Sequence, residues 1–539
     1  MQPTNHAIKM WLFALLLMTS SFSSGLLANE TLFQEGIANL LEKRFKDRIT
    51  GVERIAQSGD ERSERMLTAL LEKQLFYTAS DKTLVYYDKK NNQAQATAVL
   101  SAEVLNIEDP KSLKRIKTNN KMRGVIKQAL ANIQLSNPDA TMRLAAVRSM
   151  TGKVSQDQLE TIRSLSERES NPDVKTAMQT LVQLSELESS DQDVVKQAIK
   201  GLEGNLNQQV RPKLEALVSS ENPEIAAIAK QTLAEIDKKI SWYGHLETLF
   251  FGLSLGSVLV LAAIGLAITF GVMGVINMAH GELIMLGAYT TYTIQHYILP
   301  NFPGVSLMVS IPAAFVVAGV VGILIEKTVI RHLYGRPLET LLATFGISLI
   351  LQQAVRSIFS PLNRSVETPS WMSGSIQINE VLSLTLNRLY VIAFCLVVFA
   401  LLFIVLKKTS LGLQVRAVSQ NRGMARAMGV KASKVDAMTF GLGAGIAGIA
   451  GVALSQLTNV GPNLGQSYII DSFMVVVFGG VGNLWGTLIS GFSLGIANKF
   501  MEPYAGAVLA KIFVLIFIIL FIQKRPRGLF PQKGRAADS

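Results

Sequence analysis

The 539-residue chain has a single cysteine, Cys395, so it can form neither an intrachain disulfide framework nor a thiolate metal site. It has no run of glycines followed by Lys and Ser/Thr, the pattern whose backbone amides and ammonium cradle nucleotide phosphates, so it carries no phosphate loop of its own. Aromatic residues are only 7% of the chain, and they are not interleaved with Lys and Arg. The net charge of +12 therefore does not describe a nucleic-acid groove. Residues 30–240 contain no His/Asp/Glu cluster and no nucleophile elbow, which argues against enzyme chemistry there. Charge itself is scarce in the second half, where it is confined to a few loops between hydrophobic runs. That split separates a water-soluble part from a lipid-soluble one.

The first residues have the order of an export signal: Lys9, the apolar run Met10 to Met18, then small residues from Thr19 to Gly25 and Ala28. The run is too short to span a bilayer comfortably, and either cleavage after Ala28 or retention as an anchor exports the residues beyond it. The sequence thus divides into a signal peptide at 1–28, an exported helical domain at 29–240 and a membrane domain at 241–539. In the exported part, apolar residues recur three and four apart, as in Phe33, Ile37 and Leu40, in Val174, Ala177, Leu181 and Leu184, and in Ile225, Ile228, Leu233 and Ile236. Three helices are expected to open on one phrase, at Ser136-Asn137-Pro138-Asp139, Ser170-Asn171-Pro172-Asp173 and Glu221-Asn222-Pro223-Glu224, with Asn as cap and Pro at the first helical position. The unequal spacing of these phrases predicts an irregular array of helical hairpins of HEAT-like type, serving either as an interaction surface or as a spacer. Thr83 to Asp88, followed by Lys89-Lys90-Asn91-Asn92 and a second apolar run, reads as one β-hairpin.

After Trp242 and Tyr243, an aromatic pair suited to a bilayer interface, hydrophobic runs follow one another to residue 522. Seven are long enough to cross, near 247–268, 278–297, 305–326, 337–360, 388–406, 438–458 and 504–522. The fold class expected is therefore all-α: a polytopic helical membrane domain behind an exported helical one. Residues 468–498 hold two shorter runs broken at Gly479 to Gly486. This broken pair either dips in as a re-entrant hairpin or crosses twice, and both preserve the parity of crossings. The loops Lys327–Arg336 and Lys407–Asp436 and the tail after Gln523 are basic, whereas 298–304 and 459–467 carry no charge. Basic loops belong inside the cell, which puts the N-terminal domain outside and the C-terminus inside. Gly252 with Gly256, and Gly441 with Gly445, place small residues one turn apart and allow helix backbones to approach closely.

Chemistry concentrates at Gly271–Tyr289, the junction of the first two spans. There Asn277, His280 and Glu282 are costly in lipid and should face protein, water or a pathway. Gln352, Gln353, Asp471, Ser472 and Asn483 join them as candidates for a polar path, and Arg356 is a further charge. Gln420 to Gly429, in the long basic loop, reads as a short helix ended by glycine, and no metal site is expected anywhere. The phrase Val275-Ile276-Asn277-Met278-Ala279-His280-Gly281-Glu282 resembles the signature of the branched-chain amino acid and urea type of ABC importer permease. Phe478-Gly479-Gly480-Val481-Gly482-Asn483 with Trp485-Gly486-Thr487 is similar to the second signature of that family.

The resemblance implies a permease subunit and not an enzyme, working in an inner membrane with a second permease subunit, two ABC ATPase subunits and an exported solute-binding protein. ATP would be used by those ATPases, with no cofactor held by this chain, and membrane lipid would be its other contact. The resemblance also implies that the basic loop docks on the ATPase, with Arg416, Gln420, Asn421, Ala425, Met428 and Gly429 in that role. A helical extension ahead of the membrane part resembles the urea-type subunit, so urea is the solute expected first, with branched-chain amino acids or short amides as the alternative. An anchored interaction scaffold is the alternative of another class.

Overall fold

The computed structural model describes residues 30–530 apart from 79–80, 88–94, 102, 107–112 and 151–155. The expected export signal at 1–28, and the turn of the expected hairpin near Lys89, lie outside the described residues. The chain divides into two compact units between Ala234 and Glu235.

In the first unit, helices α1 (30–40), α2 (Phe45–Gln57), α3 (Arg62–Leu71) and α4 (Asn120–Leu135) close on Phe33, Leu40, Val52, Ile55, Met66 and Met122, all fully buried. Between α3 and α4 the chain forms five short antiparallel strands: β1 (Leu75–Thr78), β2 (Leu84–Tyr86), β3 (Gln95–Ala98), β4 (Val104–Asn106) and β5 (Leu113–Arg115). They lie in the order β4-β3-β2-β1-β5. The expected hairpin is β2 paired with β3, with Val85 opposite Ala98. The hairpin is part of this five-stranded sheet in a unit that is otherwise helical, as expected. Its strands are three or four residues long, too short for an alternating pattern to emerge.

The helices α5 (Ala140–Ser149), α6 (Gln156–Arg168), α7 (Pro172–Glu186), α8 (Gln192–Gly201) and α9 (Val210–Val218) come next. In α7 the capping phrase acts as expected, with Asn171 accepting from the backbone N–H groups of Asp173 and Val174. In α5 it does not. The Asn137 and Pro138 carbonyls are taken by the Arg143 guanidinium, the helix starts two residues later, and Asp139 becomes the cap by accepting from Thr141 N–H. Arg143 also makes two parallel bonds to Glu169, at 2.7 and 2.8 Å, and Glu169 in turn accepts from Asn171 N–H, so one arginine ties the start of α5 to the cap of α7.

The helix α10 (Pro223–Met273), 51 residues long, begins in the first unit and continues into the second, and only its later part is apolar enough for lipid. It is followed by α11 (His280–Thr293), α12 (Pro303–Thr328), α13 (Pro337–Phe359), α14 (Leu386–Lys408), α15 (Ser410–Gln420), α16 (Arg422–Ala427), α17 (Ala432–Ser455), α18 (Gln466–Gly479) and α19 (Leu484–Lys524). Among the described residues, six helices are long and apolar enough to cross a membrane: α10, α12, α13, α14, α17 and α19. The expected span at 278–297 is different. Its α-helical part is 14 residues, continued by a π turn at Ile294–Ile298, and it is buried on nearly every side.

Close packing centres on α17, whose glycines let neighbours approach on three flanks. A Cβ added at Gly443 would meet Gly265 of α10. One at Gly448 would meet Ala314 and Ala318 of α12, and one at Gly451 would meet Ile284 and Ala288 of α11. The two glycine pairs expected from sequence also lie at contacts: a Cβ on Gly252 or Gly256 would sit 2.7 Å from the Cα of Ile496 or Phe492 in α19. Gly441 and Gly445 face Ile323 and Phe315 of α12. Without a hydrophobic drive between helices in lipid, such backbone approaches supply the dispersion that holds a bundle together.

α18 and the first part of α19 form the broken pair expected at 468–498. The α19 helix is interrupted at Gly506, where φ is +77°, so it is two helices joined at a kink. The turn Gly480–Asn483 joins the residues that follow α19: Leu529 N–H donates to the Phe478 carbonyl at 2.9 Å, and Phe530 N–H to that of Gly479 at 3.2 Å. The residues after α19 thus return to the turn from which α19 starts, and both forms of the broken pair remain compatible with these contacts.

Candidate functional site

The α10–α11 junction is built by glycine and amide. Gly274, with φ +65°, ends α10, its N–H donating to the Phe270 carbonyl at 2.9 Å. Asn277 then accepts from Ala279 N–H at 3.0 Å, folding the chain into α11. His280, fully buried, lies back over α10, where a Cβ on Gly265 would fall 2.9 Å from its Cε1. Its Nε2 lies 2.9 Å from the Ala262 carbonyl, which can only accept, so Nε2 carries the proton. His280 thus ties α11 to α10.

Glu282, one turn into α11, faces α13. Its Oε1 accepts from Ser348 Oγ at 3.0 Å and from Gln352 Nε2 at 2.8 Å. Above and below, α13 presents Thr340, Thr344, Ser348 and Gln352 four residues apart, each at most 6% exposed. Thr344 reaches across to accept from Met278 N–H at 3.1 Å, while its own hydroxyl proton goes to the Thr340 carbonyl at 2.9 Å. The α11–α13 contact is thus a line of hydroxyl, amide and carboxyl groups. Arg356, one turn beyond Gln352, donates to Asn463 Oδ1 at 2.7 Å.

Of the residues singled out for a polar path, the structure brings Glu282 and Gln352 to this seam, keeps Asn277 in the turn that opens α11, and sends the others elsewhere. Gln353 is exposed on another face of α13, as its position next to Gln352 on a helix dictates. Asp471 pairs with Lys511 of α19 at 3.0 Å. The fully buried Ser472 turns its hydroxyl onto the Tyr468 carbonyl of its own helix. Asn483 caps α19 by accepting from Gly486 N–H, and its Nδ2 holds the Phe530 carbonyl at 3.3 Å, a role in the turn and not in the seam. Sequence reasoning passed over Thr340, Thr344 and Ser348. Single hydroxyls are common in apolar helices, but a spacing of four repeated from Thr340 to Gln352 marks one face and was readable.

The basic loop forms two helices where one short one was expected. Gln420 ends α15, and Asn421 restarts the chain as α16 by accepting from Met424 N–H at 2.9 Å. Gly429, with φ +88°, ends the turn. Ala425 is buried with Val415, Val418, Ala432 and Val435, while Met424 and Met428 stand 61% and 78% exposed. Val272 at the end of α10 packs on this cluster, so α16 shares an end of the bundle with the Gly274 turn. Arg416 donates to the Leu406 carbonyl and braces α15 against α14. Arg422 pairs with Asp436 of α17 and lies over the Tyr334 ring, 4.0 Å from its centroid. The surface α16 offers outward is thus two methionines on a braced base, the kind of adaptable apolar contact that fits a groove on a partner.

A family model described as branched-chain amino acid transport system / permease component matches residues 248–522. The high-affinity branched-chain amino acid transport system permease protein BraD of Pseudomonas aeruginosa is 30% identical over 298 residues, 53% of this chain and 96% of its own. The corresponding permease protein LivH of Escherichia coli K12 is 30% identical over 293 residues, 53% of this chain and 94% of its own. A more distant likeness is to the ribose import permease protein RbsC of Haemophilus influenzae, 23% identical over 250 residues, 45% of this chain and 73% of its own. No solved structure matches the chain.

Proposed function

Since the chain belongs to the family of branched-chain amino acid transport permease components, we propose that it moves a branched-chain amino acid, or a similarly small amide, along the seam between α11 and α13. One observation carries this: the buried line of Thr340, Thr344, Ser348 and Gln352 facing Glu282, where α17 by contrast meets α11 through close-packed glycine. Polar side chains are retained inside a membrane bundle at a cost, and the usual reason is a path for a polar solute.

The basic loops support an orientation with α16 and the C-terminus on the cytoplasmic side of an inner membrane and residues before α10 outside. On that side α16 offers Met424 and Met428 to an ATPase subunit, one of two that supply the energy. A second permease subunit and an exported solute-binding protein complete the proposed assembly. The relatives' names support amino acids over urea, the solute that the sequence put first. Urea stands as the second reading on one observation, the N-terminal unit that precedes the matched region.

The test is ATP-dependent uptake of labelled leucine and urea by the complete complex in vesicles. Leucine uptake is expected, and Met424→Asp is expected to remove it by undocking the ATPase. Urea uptake without leucine uptake would promote the second reading, and uptake that survives Met424→Asp would remove α16 from the coupling.

A further inference from the structure

The Glu282 carboxylate is engaged on one oxygen only. Oε1 holds both Ser348 and Gln352, whereas Oε2 has no hydrogen-bond partner although the residue is 1% exposed. A carboxylate oxygen kept from water without a donor is costly, so a site that preserves one is shaped for a donor that comes and goes. A positive group stands nearby: Arg356 lies one helical turn beyond Gln352, which bonds Glu282, yet it donates its hydrogen bond to Asn463, in the uncharged loop between α17 and α18. The seam therefore presents an anion and a cation that are neighbours without being hydrogen-bonded to each other.

We propose that Glu282 and Arg356 are the two poles of a zwitterion site, Oε2 of Glu282 receiving the α-ammonium of an amino acid and Arg356 its α-carboxylate as the solute passes the seam. This rests on the α11–α13 seam being the path. Ser348 and Gln352 are positioning residues, fixing the carboxylate by Oε1 so that Oε2 stays available. An uncharged diamide would make no use of the Arg356 charge. Contact with Oε2 requires α13 to lift from α11, and α13 is thinly packed: 28% of its apolar window is buried inside the bundle.

The experiment compares Glu282→Gln, Glu282→Asp and Arg356→Gln in the complete complex in vesicles, reading leucine taken up per ATP hydrolysed. Loss of a charge-assisted hydrogen bond predicts a fall of about tenfold or more for Glu282→Gln and for Arg356→Gln, with Glu282→Asp, which keeps the charge, within about threefold of the unsubstituted chain. An unchanged ratio in Glu282→Gln overturns the proposal. So does a fall in Glu282→Asp equal to that in Glu282→Gln, since the side chain would then act through its shape. If the unsubstituted complex imports urea and not leucine, the amino acid reading fails first, recognisably, and the zwitterion site falls with it.

Discussion

Helix α11 meets α17 on one flank and α13 on another, and the two contacts are made of different materials. The α17 helix is 83% buried over its apolar window and touches its neighbours through glycine, with backbone against backbone. The α13 helix is 28% buried over its own window and touches α11 through side chains that hydrogen-bond one another. Dispersion between close backbones is lost as soon as they part, because lipid or water cannot replace a fitted surface. Hydrogen bonds among hydroxyl, amide and carboxyl groups can be exchanged for bonds to water or to a solute at modest net cost. The first contact is suited to a frame and the second to an opening, and the sequence writes both within a single helix.

The largest effect expected is from breaking the close contact. Gly448→Val would drive a branched side chain into the Ala314 carbonyl and the Ala318 methyl, an overpacking cost of about 3 kcal/mol. The purified chain should lose thermal stability in detergent and fail to assemble, and an unchanged melting temperature would mean that the frame yields like the seam. Next comes Gln352→Leu, which removes one of the two donors to Glu282 and keeps the helix. Leucine uptake should fall about tenfold for a lost hydrogen bond to a charged group, with melting shifted by only a few degrees. If this variant melts as early as Gly448→Val, the two contacts are not different in kind.

The smallest effect serves as an outside reference, in water. The hydrogen bonds from Arg143 hold the Glu169 carboxyl below the ordinary carboxylate range. The folded N-terminal unit therefore binds that proton less readily than the unfolded chain. Its contribution to stability is complete above the unfolded pKa of about 4.3 and is lost as pH falls through the lower, folded value. Hydrogen exchange in α5 and α7 of the full chain should quicken below about pH 4, and Arg143→Met should remove that step. A step of equal size in the variant would show that other groups carry it.

Hydropathy made α12, α13, α14 and α17 legible almost to their ends, because each is an unbroken apolar run bounded by charge or proline. The α18–α19 pair was not, since short runs broken by glycine have the same parity whether they dip or cross. What closes the turn between them is a set of hydrogen bonds to residues after Lys524 that no local pattern announces. The seam was half legible. Glu282 and Gln352 stood out as ionisable and amide groups in apolar surroundings, whereas Gln353, equally polar, points elsewhere because adjacent positions on a helix are about 100° apart. Asp471 and Asn483 stood out for the same reason and turned out to pair a lysine and cap a helix. Polarity in a span marks that a group has a partner, and only packing tells which.

The carbonyls that end α18 receive their donors from Leu529 and Phe530, near the far end of the chain. During synthesis that hairpin is made with its tip unfinished, and it stays so until the residues after Lys524 have followed. Closing the tip is thus tied to translation past Phe530, and a ribosome that stops before it leaves a subunit whose loose end is a polar backbone turn, open to the machinery that removes unfinished proteins.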